Sequence, residues 1–513
     1  MKLWKLAGTT AAMALCAGQA AFAVTPEEVW QAWQDASASY GQTVTAESQA
    51  REGDALVVTG LTVASDAGDE AAGASASSRV TIPEMRFVDQ GDGSVRVTLS
   101  DSYQISVTSR AVPPDAAAGA EPVSETIVLD VSHPGLEVTA TGAVGAMNYA
   151  FTAPTLSVAL NSIDGTPAAE AGSTVKVDLT GMEGTYAITG TEARTIESDA
   201  RAATLALDIG ATDAATGASS AVRVTMADIT ARSSTATGTA PDLTDMAAAL
   251  RGGFATTVAV GHGRTEFSVD ATDPSGPTTV RGTATDGGLD IVMNAGSLTY
   301  GGRTNGLSAT LSGAGLPVPE VTLGYEETAF NLAIPVSKSD APAPFAFLAR
   351  VTGLTVSDAV WSLFDPTAQL PRDPITLIVD LAGTATSASD LFAPAAPAEA
   401  GTPVQIDSLE VRQAQLRAIG AEVNATGALT FDNADLTTFQ GMPAPTGTIT
   451  IDASGINGVL DRLTAIGLLP EDQVAGARMM LGMFAKPGEG PDTLTSVLEF
   501  RDGGFFANGM QLR

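Results

Sequence analysis

TVKVDLTG, Thr174 to Gly181, decides the fold. Val175, Val177 and Leu179 fall on one side of a period-two repeat; Lys176, Asp178 and Thr180 fall on the other. That is a half-buried antiparallel strand, with one face greasy and one wet. The same alternation returns in SVRVTLSD (Val95, Val97, Leu99), ITLIVDLAG (Ile375, Leu377, Val379, Leu381) and GTITIDAS (Ile449, Ile451). Between such stretches stand turn residues: Gly91-Asp92-Gly93, Asp286-Gly287-Gly288, Asn305-Gly306 and Asp502-Gly503-Gly504. Read as hairpin turns, they predict meanders. More strands are expected than the ~10 that one open sheet usually holds, so the sheet must curl, split or stack. The fold class is therefore mainly β: elongated, curved antiparallel sheets, as an open groove or a stacked sandwich, with a few short amphipathic capping helices.

The helices interrupt this pattern at four places. Thr25-Pro26-Glu27-Glu28 reads as a capping box opening a helix with Val29, Trp33, Ala36 and Tyr40 on one face and Gly41 as its stop. It reads as a lid packed on a sheet. PDLTDMAAALRGG (Pro241 to Gly253) predicts a helix capped by Asp242, and SDAVWSLFDP (Ser357 to Pro366) a shorter one ended by proline. GINGVLDRLTAIGLLP (Gly455 to Pro470) carries an apolar stripe of Ile456, Val459, Leu460, Leu463 and Ile466. A second helix follows, with Val474, Ala477, Leu481 and Phe484 on its buried side, and LTSVLEF and GFFANGMQLR form a closing hairpin. This pair is expected to cap the last strands.

Residues 1–23, with Lys2 and Lys5 before an apolar run and Ala21-Phe22-Ala23 at its end, read as a secretory signal peptide cleaved before Val24. The run is short of the ~20 residues that a bilayer crossing needs, and Leu15 before Cys16 argues against lipidation. No membrane-spanning segment is expected after cleavage, and the product is expected in the periplasm or outside the cell. Cys16 is the only cysteine, so a mature chain would have neither disulfides nor thiolate metal sites. Loss of two basic residues and no acidic one would move the formal charge from −32 to −34. Such a charge repels nucleic acid and anionic headgroups. Two regions are expected beyond the leader, 24–240 and 241–513, divided softly before Pro241. VTGLTV occurs at Val58 to Val63 and again at Val351 to Val356, which reads as recurrent strand chemistry. Asp66 to Ser78, Val112 to Pro122 and Phe392 to Pro403 read as loops projecting from sheet edges.

Chemistry is sparse. His133 and His262 are the only histidines, both expected in solvated turns, the second at a hairpin tip. No His pair has ligand spacing, no nucleophile elbow or phosphate loop occurs, and acidic turns such as Asp66 to Glu70 lack the calcium-loop pattern. No enzyme activity, cofactor or metal is expected. An outer-membrane barrel fits poorly with 5% aromatics and intervening helices. The most distinctive string is WSLFDPTAQLPRDP, Trp361 to Pro374, where Trp361, Phe364, Asp365, Arg372 and Asp373 suggest an ion-pair knot beneath two rings. A structural corner is the preferred reading over a binding site.

That string, with GTITIDASGINGVLDRLTAIGLL and LEFRDGGFFANGMQL, resembles the DUF2125 group of exported alphaproteobacterial proteins of unknown function. The resemblance implies a β-rich envelope protein and carries over no catalytic residue. More distantly, the terminal strand, helix pair and hairpin are similar to the C-terminal parts of AsmA-like envelope proteins, whose curved sheets are associated with lipid movement. Two functions are expected to compete: a groove shielding lipid acyl chains or a partner's apolar surface, and an acidic scaffold or surface protein with a filled sandwich core that meets other envelope proteins.

Overall fold

The computed structural model describes residues 24–39, 41–69, 74–111, 122–238, 245–392 and 404–513. The expected leader, Tyr40, residues 70–73, Asp242 and nearly all of the loops expected at 112–122 and 392–403 lie outside them. Within them, alternating strands assemble into one 28-stranded antiparallel sheet with five short helices.

Helix α1 (Pro26–Ser39) precedes β1 (Thr43–Thr45) and β2 (Ser48–Glu52), which edge the first long strand, β3 (Ala55–Asp69). Against β3 lies β4 (Ala74–Asp89), so the described residues of the loop expected from Asp66 to Ser78, 66–69 and 74–78, are strand. β5 (Val95–Leu99) and β6 (Ser102–Ala111) run end to end along β4. β7 (Val123–Ser132) and β8 (Glu137–Ala143) return end to end along them, and β9 (Ala146–Ile163) spans both. After the two-residue β10 (Thr166–Pro167), the meander continues through β11 (Ser173–Thr189), β12 (Thr195–Thr212) and β13 (Ser219–Ala236). Helix α2 (Met246–Arg251) occupies the next connection.

β14 (Ala255–His262) with β15 (Thr265–Asp273), then β16 (Gly276–Ala284) with β17 (Asp286–Met293), are again end-to-end pairs. β18 (Ser297–Gly313), β19 (Val321–Pro335) and β20 (Ser339–Val356) follow, then α3 (Asp358–Trp361). β21 (Ile375–Ser387), β22 (Val404–Ala418), β23 (Ala421–Asp432) and β24 (Ala444–Ser454) lead to helices α4 (Ile456–Ala465) and α5 (Glu471–Phe484). β25 (Lys486–Pro487), β26 (Thr493–Arg501), β27 (Gly504–Ala507) and β28 (Met510–Gln511) complete the chain. The regions on either side of residues 240/241 share this sheet, because β13 and β14 pair directly.

Among the described residues the first and last strands do not pair with each other, and no second sheet exists to stack on the first. The sheet is a single open layer. The stacked sandwich is thus replaced by the open alternative.

Helix α1 forms as its sequence predicts. The Thr25 backbone N–H donates to Glu28 Oε2 at 2.8 Å, and the Glu28 N–H donates to Thr25 Oγ1 at 3.3 Å. The buried face is Pro26, Val29, Trp30 and Ser37, with Trp33 half-buried, a rotation from the expected stripe that brings Trp30 onto Phe87 at 5.7 Å. Val29, Trp30 and Phe87 make the sealed hydrophobic core with Leu56, Val58, Leu61, Met85, Val95 and Val97, and Trp33 packs against it. Helix α2 is capped by Asp245, whose carboxylate accepts from the Ala248 N–H at 2.9 Å.

A crease crosses the strands and explains several departures from the expected turns. Gly181, Asp228, Gly306 and Gly353 take φ of 58°, 52°, 61° and 65° in mid-strand. Each such residue advances the alternation by one, so that on β13 the partly covered side runs Val222, Val224, Met226 and then Ile229, Ala231, Ser233. The apolar face stays on one side of the sheet only because the crease shifts every strand together. Asn305-Gly306 and Asp286-Gly287-Gly288 are therefore crease residues inside the ladder and not hairpin turns. Gly261-His262-Gly263 marks the break between β14 and β15, which continue in line, so His262 is not at a hairpin tip. Both copies of VTGLTV sit on this crease, with Gly60 and Gly353 at φ 59° and 65° and a glutamate side chain, Glu47 or Glu326, lying where a Cβ would project.

Candidate functional site: an open apolar trough

Residues paired across an antiparallel ladder point to the same face, so rows can be followed from strand to strand. One begins at Leu56 and passes Phe87, Val97, Val138 and Phe151. It crosses Gly184, Ala200 and Ala231, then Val260, Leu289, Gly302 and Phe330. It ends through Ala349, Val379, Ala414, Ala425, Ile451 and Ser496. No member is charged. Seventeen steps of ~4.8 Å make this row about 80 Å long, measured along the sheet.

The adjoining row on the same face runs Tyr149, Tyr186, Ser198, Ser233, Val258, Ile291, Tyr300, Leu332, Phe347, Leu381 and Val411. Past α1 this face has no sealed core over it. Val260, Tyr300, Phe330, Leu332 and Phe347 are each 39–42% exposed. The opposite face carries the charges, for example Arg232 with Asp199 at 2.7 Å and Asp270 with Arg281 at 3.0 Å. An exposed apolar patch of this extent, many strands long, marks a surface that meets something apolar.

The floor is levelled by rings lying across glycines. Phe151 faces Gly184, Phe267 faces Gly282, Phe330 faces Gly302 and Phe345 faces Gly383, and a Cβ built on any of these glycines would fall within 3 Å of the ring. The sequence held this signal in its many glycines, but only register shows which glycine meets which ring.

One end of the trough is closed by α1. Trp33 and Ala36 face Val138, Tyr149, Phe151, Tyr186 and Ile188 around a cavity of about 380 Å³. Burial, with a smaller contribution from neighbouring Tyr186, pushes the Tyr149 phenol up to about 12. Midway, rim connections are tied together: Arg251 of α2 pairs with Asp390, which also accepts from the Lys338 N–H at 2.8 Å. The far helices cover less than expected. No residue of α4 is fully buried and only Val474 of α5 is, while Met479, Met480 and Met483 face solvent. α4 is anchored instead by Asp492, whose carboxylate accepts from the Asn457 and Gly458 N–H groups at 3.1 and 2.9 Å.

The Trp361 to Pro374 string lies at the rim between β20 and β21, away from the trough floor. Asp365 is fully buried and accepts from the Gln369 and Leu370 N–H groups at 2.9 and 2.8 Å. Burial alone would raise its pKa, but these amides and the Arg372 charge hold the carboxyl below the usual carboxylate range. Trp361 is buried, with Phe364 against it at 5.3 Å. Arg372 pairs with Asp358, and Asp373 stands exposed outside the knot. The geometry is that of a corner. His133 also departs from expectation: it is buried at the break between β7 and β8, edge-on to Tyr103 at 5.3 Å, and not in a solvated turn. His262 is half-buried, with Nδ1 beside Gly263 O and Thr265 Oγ1.

Fold and site define a class: a single-layer antiparallel β protein with one continuous uncharged trough. The chain belongs to the DUF2125 family, described as uncharacterized protein conserved in bacteria, which it matches over residues 127–512. No curated protein and no solved structure matches it. No helix among the described residues is long and apolar enough to cross a membrane.

Proposed function

We propose that this is a non-enzymatic envelope protein whose trough shields the acyl chains of lipids from water. The observation that carries the reading is the unbroken uncharged row from Leu56 to Ser496, open to solvent beyond α1. Covering such a surface returns about 25 cal/mol per Å² of apolar area removed from water, and an acyl chain does so without asking for polar partners. The distant AsmA-like resemblance supports the same reading. The leader expected in residues 1–23 supports a periplasmic or extracellular site of action. Val24, the first residue after it, is buried and its nitrogen donates to Gly93 O at 3.3 Å, a bond an α-ammonium would keep.

The test is purification from the native envelope without detergent, organic extraction and mass spectrometry. Stoichiometric acyl lipid is expected, together with a mature amino terminus at Val24. A lipid-free preparation that also fails to take up a fluorescent fatty acid would overturn the proposal.

A further inference from the structure

We infer that the cavity beneath α1 is the stop of the trough and seats the methyl end of a long acyl chain, a deepening that rests on the lipid reading above. The trough runs into the helix there, and Trp33 forms the end wall. Its lining carries no charged residue; Ser37 and Gln42 are its polar side chains apart from the tyrosines. A carboxylate or phosphate pushed into it would lose its hydration with no countercharge. The uncharged end of the chain is the end that fits.

Size agrees with this assignment. The cavity of about 380 Å³ holds on the order of ten groups the size of a water, each taking ~30 Å³ and comparable to a methylene. From its mouth the floor runs over the Phe151 ring on Gly184, then drops to Ala200 and Ala231 on the next two strands, before Val260 raises it again. Those three ladder steps give a shallow channel of about 14 Å. At ~1.25 Å per extended methylene, from a C–C bond of ~1.5 Å, the channel takes about eleven more carbons. Cavity and channel together suit one long chain, with its polar end directed toward β14.

The experiment uses the full-length mature protein and two photoreactive sixteen-carbon fatty acids, one with its diazirine near the methyl end and one beside the carboxyl. The methyl-end probe should label Trp33 and the segments 136–151 and 186–188, and the carboxyl-end probe, about six carbons beyond the cavity, should label β12 and β13. Ala36→Phe, which fills the cavity, should cut methyl-end labelling there at least tenfold. Ile188→Ala, which enlarges it, should shift preference toward longer chains, and this keeps a result in hand if the first variant unfolds. Reversed or scattered labelling along the trough would overturn the seat while leaving the lipid reading standing. Absence of any saturable labelling would overturn both.

Discussion

Phe330→Glu separates an open trough from a covered core. Phe330 sits in mid-trough, 41% exposed, with its ring over Gly302 and tilted against Tyr300 at 5.1 Å. Full burial of a phenylalanine is worth about 1.5–3 kcal/mol, so the covered three-fifths of this side chain is worth about 1–2 kcal/mol. The aromatic pair adds about 0.5–1.5 kcal/mol. A glutamate here keeps its hydration because the face is open, so the total loss should be roughly 2 kcal/mol, or about thirtyfold in a local opening equilibrium. Each strand contacts only its neighbours, so the loss should stay local. Hydrogen exchange by mass spectrometry should show faster exchange in β17 to β20 and unchanged protection in β3 to β9. Bound acyl lipid should fall. A collapse of protection throughout the chain, or a loss above about 4 kcal/mol, would mean that a second layer covers this face, and the single-layer reasoning would fail.

The sealed end should respond differently. Phe87→Ala, at 1% exposure, should cost about 3–5 kcal/mol and red-shift tryptophan emission as Trp30 loses its partner. Gly353→Ala should cost about 1–2 kcal/mol, because φ of 65° is left-handed; adding Glu326→Ala should relieve the crowding but not the backbone strain, which a denaturation cycle can separate. Asp435 is held down to about 2, chiefly by the Thr438 hydroxyl and N–H and then by Thr437. Its depressed folded pKa means the turn's stabilisation is present above the ordinary carboxylate range and is lost as pH falls through about 2. Amide protection at Thr437 and Thr438 should therefore decline on acidification below about pH 4, and Asp435→Asn should show low protection at every pH.

Strand alternation, the α1 capping box and the Gly91 and Asp502 turns were legible because each rests on local chemistry within a few residues. The crease was not, because it uses turn residues inside strands. Gly306 and Gly287 look like hairpin tips to any local reading; only the pairing of β18 with both β16 and β17 shows that the chain runs straight through them. His133 misled for the same reason, since Pro134 and Gly135 signal a turn, and the turn here is a short break between collinear strands. The trough itself was half legible. Its apolar face follows from period two, but whether a second sheet covers that face depends on contacts across hundreds of residues. The Trp361 string stood out because rings are rare in this chain and Pro366, Pro371 and Pro374 crowd into one short stretch, and that crowding reflects a corner held by Asp365.

The scarcity of aromatics and the abundance of glycine look like a weak core, and for a filled sandwich they would be one. In a single layer they have another consequence. A bulky ring standing upright on an open sheet would break the trough into separate pits and expose its own edges. Laid across a neighbouring glycine, the same ring covers backbone that would otherwise face water and leaves the floor at an even height, as aromatic rescue of strand glycines does elsewhere. Phe267 over Gly282 and Phe345 over Gly383 do this on opposite sides of the crease, and Phe330 over Gly302 does it between them. The composition thus suits a surface meant to stay uncovered by protein yet continuous enough for a flexible apolar chain to lie along it.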